Sequence, residues 1–562
     1  MHTRHPQRFT LASLVLLTSL ATLSAHADPV APDAGQTIRE LQKQPELQAP
    51  KPPAPLRLEE NVTRRDSAND NMRIAVNGIR VSGNNVFAAA ELEALIANLI
   101  GGEQTLADLY QGAARITAYY REHDYVIARA YLPAQEIKDG VVIIDVVEGR
   151  IGEQQITNQS RLSDDRANSY LSGIKSGEAL QAAPVERALL LLNDTPGVGG
   201  TRATLQPGAS VGTSDLIVEI DPSAPYAARV EVDNFGNRYT GANRLGGTLA
   251  LNSPLKMGDQ VTVRALASDQ DLTYTRIAYQ IPIGSNGLRL GAAYFDIRYR
   301  LGKEFAPLQA HGTATSSSLF AVYPFIRSQT GNLSGTLTLE DKQLEDLTDA
   351  PVTATNKYIH LANMGLAGNY QDTLAGAGVT SFDLSLVAGR LGMDAESRAT
   401  DELSARSNGG FTRLTYSVNR LQRLTELDTL SVSLSGQWAG QNLNSSEKFY
   451  LGGANGVRAY PQGEANGDQG WLANLELRHR FLPNLQGVVF YDAGSVRINH
   501  NPFVSGENSR NISGAGVGAN ANFFGLQLNG YVAWRMSDSP PTSEPASLDR
   551  KPRVWVQASW TL

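Results

Sequence analysis

The sequence predicts a mainly β protein. A transmembrane β-barrel of about sixteen strands follows two small α+β domains and a short N-terminal helix. Three observations predict it. From about residue 223 to 562, apolar and polar residues alternate in segments of roughly ten, the pattern of strands with lipid on one side and water on the other. Short and long connections alternate between these segments. Upstream, residues 72–222 read as strand–helix–helix–strand–strand twice over.

The elements follow in chain order. Residues 1–27 carry Arg4 and Arg8, then the apolar run "LASLVLLTSLATL", then "AHA" before Asp28. That is the layout of an export signal with its cleavage site. Elsewhere nothing approaches the ~18–20 apolar residues a membrane helix needs, so an exported chain that stays in a membrane must span it as a barrel. Residues 28–48 contain "TIRELQKQPELQ", where Ile38 and Leu41 share a helical face within about 36–47. Residues 49–71, which begin "APKPPAPLRLEENVTRRDSAND", are rich in proline and then charge, which reads as a linker.

Residues 72–148 open with "RIAVNGIRVSG", a strand. "TLADLYQGAARITAYYREH" follows with a helical apolar stripe at Leu106, Leu109, Tyr110, Ala113 and Tyr120. Thr105 with Asp108 three residues on resembles a capping box. "YVIARAYLP" and "GVVIIDVVEG" are β-branched strands. Residues 149–222 repeat the order, with helices expected around 166–171 and 185–192.

In the barrel, "LSVSLSGQW" sets Leu430, Val432, Leu434 and Trp438 against Ser431, Ser433, Ser435 and Gln437. "WLANLELRHRF" sets Trp471, Ala473, Leu475, Leu477 and Phe481 against Asn474, Glu476, Arg478 and Arg480. "GSNG" (284–287), "QTGN" (329–332) and "LPN" (482–484) are short turns of the periplasmic kind. "LGKEFAPLQAHG" and "GMDAESRATDELSARSN" are long surface connections.

Composition narrows the function. The 562 residues are 41% hydrophobic and 19% charged, with a net charge of −7 and no cysteine. An acidic chain lacks the basic stripe a nucleic-acid partner requires. Without cysteine there is no disulfide framework and no thiolate metal site. The eight histidines show no paired metal spacing. No nucleophile elbow or phosphate loop is present. The chain is therefore expected not to be an enzyme: no catalytic residue, no metal and no cofactor is assigned.

Two stretches stand out. "LGGANGVRAYPQGEANGD" (451–468) holds five glycines around Arg458, inside the longest loop, about residues 440–470. Composition alone leaves two readings open: an exposed surface loop with a solvated arginine, or a loop turned into the barrel. "FYDAG" (490–494) lies on the strand after the next short turn, with Val488, Phe490 and Asp492 on one face. If that face is luminal, Asp492 is a walled-in carboxylate that would seek a cation.

These residues carry a resemblance. "VRAY" (Val457, Arg458, Ala459, Tyr460) resembles the VRGY/F tetrad of two-partner secretion outer-membrane transporters, the TpsB proteins of the hemolysin and filamentous hemagglutinin secretor type. "FYDAG" (Phe490, Asp492, Gly494) matches their strand motif. "ARAYLPAQEIKDGVVIIDVVEGRI" resembles the end of their first polypeptide-transport-associated (POTRA) domain. "LLLNDTPGV" and "LQPGASVGTSDLIVEI" resemble their second, and "VDNFGNRYTGANRLGGTLALNSPLKMGDQ" their first barrel hairpin.

The resemblance implies a sixteen-stranded barrel (223–562), two periplasmic POTRA domains (72–148 and 149–222) and an N-terminal plug helix. It implies that the long loop folds into the lumen and that Arg458 meets Asp492. The implied function is translocation of an unfolded exoprotein, a large TpsA-type protein, across the outer membrane of a Gram-negative bacterium. The implied accessory partners are outer-membrane lipid and lipopolysaccharide, and the barrel-assembly machinery and periplasmic chaperones during biogenesis. The nearest alternative is an outer-membrane insertase of the BamA/TamA kind, which shares the loop motif. One departure stands: Ala459 replaces the usual glycine, and a Cβ at a positive φ would be costly.

Overall fold

The computed structural model describes residues 31–42, 56–58, 72–210 and 212–562. The leader expected at 1–27 lies outside the described residues, as do residues 28–30, 43–55 and 59–71 of the plug segment and linker.

Helix α1 (Ala34–Gln42) lies inside the barrel. Ala34, Ile38 and Leu41, spaced to share one face, are buried in the luminal apolar cluster with Ile297, Tyr299 and Ile359. The helix starts two residues before the expected Gln36, because Asp33 closes its N-terminus. The Asp33 carboxylate accepts from the Gln36 amide at 2.8 Å, and the Asp33 carbonyl from the Thr37 amide at 3.1 Å.

The first α+β unit holds strands β2 (Arg73–Val76), β3 (Gly78–Ser82), β4 (Gly102–Thr105), β5 (Arg129–Tyr131) and β6 (Val141–Val147) and helices α2 (Ala89–Ala94) and α3 (Leu106–Glu122). Its sheet runs β3–β6–β5, with β2 and β4 paired alongside. The core sets Leu109, Ala113, Ile116 and Tyr120 of α3 against Val142, Ile144 and Val146. Thr105 and Asp108 form a reciprocal capping box that starts α3.

The second unit holds β7 (Arg150–Asn158), β8 (Val198–Pro207) and β9 (Thr213–Pro222) with α4 (Asp164–Leu171) and α5 (Ala182–Asn193). Its sheet has four strands in the order β1–β8–β9–β7. The added strand, β1 (Leu56–Leu58), comes from the stretch that composition reads as plain linker, and it pairs parallel to β8. This is the main departure from the sequence expectation.

Sixteen strands among the described residues, from Tyr226–Asp233 to Arg553–Thr561, form a closed antiparallel barrel. The first and last strands pair, Val230 opposite Trp560, so no sheet edge meets lipid. Val432, Leu434, Trp438, Leu475, Leu477 and Phe481 are exposed on the outer surface. Among the described residues no helix is long and apolar enough to cross a membrane.

The second α+β unit sits against the short turns. The Arg327 guanidinium makes two hydrogen bonds to the Asp194 carboxylate, at 2.6 and 2.9 Å. Arg166 donates to the Gly284 carbonyl at 2.8 Å and Arg187 to the Pro324 carbonyl at 2.6 Å. These contacts fix which barrel rim faces the α+β units. The long connections lie at the other rim.

Candidate functional site

The long loop between the strands Asp428–Ala439 and Gln469–Leu482 is a neck and a knob. Phe449–Tyr450 pairs antiparallel with Asn466–Gly467 to make the neck. The knob closes on itself: the Val457 amide donates to the Leu451 carbonyl at 2.7 Å, and the Gly456 amide to the Gly453 carbonyl at 3.0 Å. Two glycines are needed for this turn. Gly453 has φ +115°, and a Cβ on Gly456 would lie 1.9 Å from the Leu451 carbonyl oxygen. The knob is buried, with Leu451, Val457 and Tyr460 packed on the inward-facing Leu472, Val488 and Phe490. The solvated-arginine reading is therefore overturned.

Arg458 sits at the centre. Its Nε and Nη2 donate to Asp492 Oδ2 and Oδ1 at 2.9 and 2.7 Å, a bidentate pair. Its backbone amide donates to Asp492 Oδ2 at 3.1 Å. Nη1 reaches Glu476 Oε1 at 2.7 Å. The guanidinium carbon lies 3.5 Å from the Phe490 ring centroid, a cation–π stack. Asn474 donates to Asp492 Oδ1 at 2.8 Å, and Trp555 Nε1 to the Arg458 carbonyl at 2.7 Å. Arg458 is 4% exposed and Asp492 0%. The structure thus brings Arg458, Phe490 and Asp492 together as one cluster. Tyr460 donates to the Ser539 carbonyl at 2.7 Å in another loop. Gly494 lies under Leu451, where a Cβ would be 2.6 Å from a methyl of that side chain.

Ala459 is accommodated. It is not among the residues with positive φ, so its Cβ carries no left-handed strain. Gly514 on the neighbouring strand makes the room: a Cβ there would lie 2.4 Å from the Ala459 Cβ.

Sequence reasoning missed most of the remaining anchors. Buried Glu447 pairs with Lys342 and Arg413, each at 2.9 Å. Glu464 pairs with Arg510 at 2.5 Å and accepts from the Thr542 and Ser543 amides. Asp468 accepts from the Leu443 and His500 amides at 3.1 and 2.8 Å. Three acids in a glycine-rich loop were the available signal. The plug helix touches the same loop. Ser445 donates to Asp33 at 2.6 Å, Arg39 to the Lys448 carbonyl at 3.2 Å, and a Cβ on Gly35 would lie 2.5 Å from the Ser446 amide nitrogen. Among the described residues no cluster of histidine and acidic side chains is arranged to hold a metal.

Comparison with known proteins decides the family. The family described as haemolysin secretion/activation protein ShlB/FhaC/HecB matches residues 212–521, more than half of the chain. The chain belongs to that family. The ShlB-type POTRA domain matches residues 74–149. The heme/hemopexin transporter protein HuxB of Haemophilus influenzae is 30% identical over 478 residues, covering 83% of each chain. The outer membrane transporter CdiB of Dickeya dadantii is 25% identical over 485 residues, 82% of each. The solved CdiB structure from Escherichia coli superposes with a TM-score of 0.71 at 20% identity, covering 89% of this chain and 93% of that one. BamA from Haemophilus ducreyi shares the fold at a TM-score of 0.50. The chain is thus the outer-membrane translocation pore of a two-partner secretion system, with its POTRA domains in the periplasm and a secreted TpsA-type exoprotein as partner.

Proposed function

We propose that the Arg458–Asp492 pair is the latch that holds the long loop in the lumen, and that secretion requires the loop and plug helix to be held in a defined resting position. The bidentate, fully enclosed geometry carries this reading. A buried ion pair is weak evidence for net stability, but it fixes one register because each partner left alone is costly. In this reading residues 72–148 and 149–222 capture the unfolded client, residues 223–562 form the pore, and the chain does no catalysis. Folding of the client outside the cell supplies the direction. Outer-leaflet lipid and lipopolysaccharide surround the apolar band, and the barrel-assembly machinery with periplasmic chaperones inserts it.

The client is proposed to be an exoprotein that handles heme or hemopexin, because a 30%-identical relative is named a heme/hemopexin transporter. The experiment is co-expression of the full chain with such an exoprotein in a host lacking its own transporter. Release into the medium is expected only with the chain present, and reduced by Arg458→Ala or Asp492→Ala at equal barrel insertion. Normal release from both variants refutes the latch.

A further inference from the structure

On five consecutive barrel strands, from Leu288–Arg300 to Gly378–Met393, one transverse row of residues faces outward. Register sets Tyr294 beside Ser317, Ser317 beside Asp341, Asp341 beside His360 and His360 beside Arg390. Their chain neighbours Phe295, Ser316, Lys342, Ile359 and Leu391 are buried on the luminal side, so parity turns this row to lipid. Towards the short turns the same face is apolar, with Leu319, Leu339, Met364 and Leu386 exposed. Towards the long connections it becomes polar, with Asp296, Gln343, Glu345 and Asn356. The row therefore marks the outer edge of the apolar band, the level of the outer-leaflet headgroups.

The charges of the row are unevenly matched. His360 Nδ1 lies 2.5 Å from Asp341 Oδ2, so those two side chains satisfy each other. Arg390 makes no ion pair and no side-chain hydrogen bond among the described residues. Two other arginines on the outer wall are matched: Arg298 donates to Asp296 at 3.0 Å, and Arg420 to the two Asp372 oxygens at 2.5 and 2.8 Å. On the membrane side of the row runs a groove of about 1020 Å³ that crosses six strands. Ala292, Ala362 and Ala388 open it, where larger side chains at these outward positions would close it.

We propose that Arg390 and this groove form a binding site for the lipid A part of lipopolysaccharide, with a headgroup phosphate on the Arg390 guanidinium and acyl chain in the groove. The proposal deepens the reading that lipopolysaccharide surrounds the apolar band, and rests on that placement rather than on the latch or the client. A planar guanidinium with no acid to satisfy it matches a phosphate through paired hydrogen bonds. A charge on the lipid face costs little at the interface, so the site carries no large penalty when empty. His360 keeps the Asp341 carboxylate occupied, which leaves Arg390 as the free charge of the row. Crossing six strands at ~4.8 Å between neighbours makes the groove about 24 Å long. That length suits several acyl chains on one headgroup better than the two chains of a phospholipid.

The full chain is purified, freed of lipid in a zwitterionic detergent and titrated with bisphosphorylated lipid A, and bound lipid is counted by native mass spectrometry. Arg390→Gln is expected to weaken binding about tenfold or more, and Arg390→Lys by less. Arg298→Gln, whose arginine is already paired, should bind as the unsubstituted chain does. Ala388→Trp fills the groove without touching the charge and should also weaken binding. Lipid A stripped of its phosphates should bind the unsubstituted chain no better than lipid A binds Arg390→Gln. Phosphatidylglycerol should bind more weakly and without dependence on Arg390. All these side chains point to lipid, and heat-modifiable migration in gels reports that each variant is a closed barrel. Equal binding of lipid A by the unsubstituted chain and Arg390→Gln overturns the proposal. So does phosphatidylglycerol binding of the same strength and the same dependence on Arg390. A dimer in lipid-free detergent that Ala388→Trp dissociates would put a second copy in the groove and overturns it too. If lipid A binding depends on Arg390 but the unsubstituted chain releases no exoprotein, the lipid site stands and the secretion reading fails.

Discussion

Replacing Arg458 by alanine leaves Asp492 enclosed at 0% exposure with Asn474 as its remaining side-chain donor. The loss includes the two guanidinium bonds to Asp492, the bond to Glu476 and the stack on Phe490. Removing one partner of a buried pair costs about 3–5 kcal/mol. At about 1.4 kcal/mol per decade, the undocked fraction of the knob should rise roughly 100-fold to a few thousand-fold. Val457→Cys, at a fully buried position beside the latch, turns that fraction into a rate. Maleimide labelling of the thiol in the folded barrel should be slow with Arg458 present and faster by about those factors in Arg458→Ala. Arg458→Lys should fall between, because a lysine keeps the charge but not the planar fork. The double-mutant cycle of Arg458→Ala with Asp492→Ala should be strongly non-additive. Equal labelling with and without Arg458 would mean that the pair does not hold the loop, whatever its geometry.

Three other perturbations test the surrounding structure. Gly514→Ala places a Cβ 2.4 Å from that of Ala459 and should displace the knob, read by the same labelling; adding Ala459→Gly should restore much of the protection. Gly35→Leu drives a side chain into the Ser445 hydroxyl and the Ser446 amide and should expel α1, seen as larger ion conductance in planar bilayers than for the unsubstituted chain. In the POTRA unit, the Thr105 hydroxyl and amide hold the Asp108 carboxyl below its ordinary range. The cap's contribution is then full above about pH 4, the ordinary aspartate value, and is lost as pH falls through the lower folded value. Hydrogen exchange of the α3 amides should quicken over that window, and Thr105→Val should shrink the pH dependence to the part that the residue-105 backbone amide supplies.

The barrel and the central pair were legible for a physical reason. Lipid outside and water inside sort side chains by parity, so the alternation around Leu430–Trp438 and Trp471–Phe481 gave each strand's orientation directly. Parity also put Phe490 and Asp492 on one face, and a lone enclosed carboxylate needs a cation. The partners that complete the cluster were not legible. Glu476, Trp555 and Gly514 meet the loop across 18 to 97 positions of chain, and register between distant strands leaves no local mark. Strand β1 was hidden for another reason. Three residues flanked by proline and charge have no periodicity to read, and pairing with β8 alone makes them a strand. The α1 helix starts two residues upstream of the expected Gln36 because its cap, Asp33, lies outside the apolar stripe that marks the helix.

The anchors of the loop also constrain how the pore can open. Residues 445–448 tie three things at once: Ser445 holds Asp33 of the plug segment, Glu447 holds Lys342 and Arg413 of the wall, and the Lys448 carbonyl holds Arg39 of α1. The Arg458 cluster lies further along the same loop and binds a different part of the wall. Breaking the Arg458 latch therefore leaves the plug's own ties intact, and expelling α1 leaves the knob docked. Either change alone should open the lumen only in part. Because both grip one loop, each should weaken the other, and Gly35→Leu with Arg458→Ala should raise conductance by more than the sum of the two single effects. A strictly additive result would separate plug and knob into independent obstacles. A client that displaces one would then gain nothing toward displacing the other, and a concerted opening through this loop would be excluded.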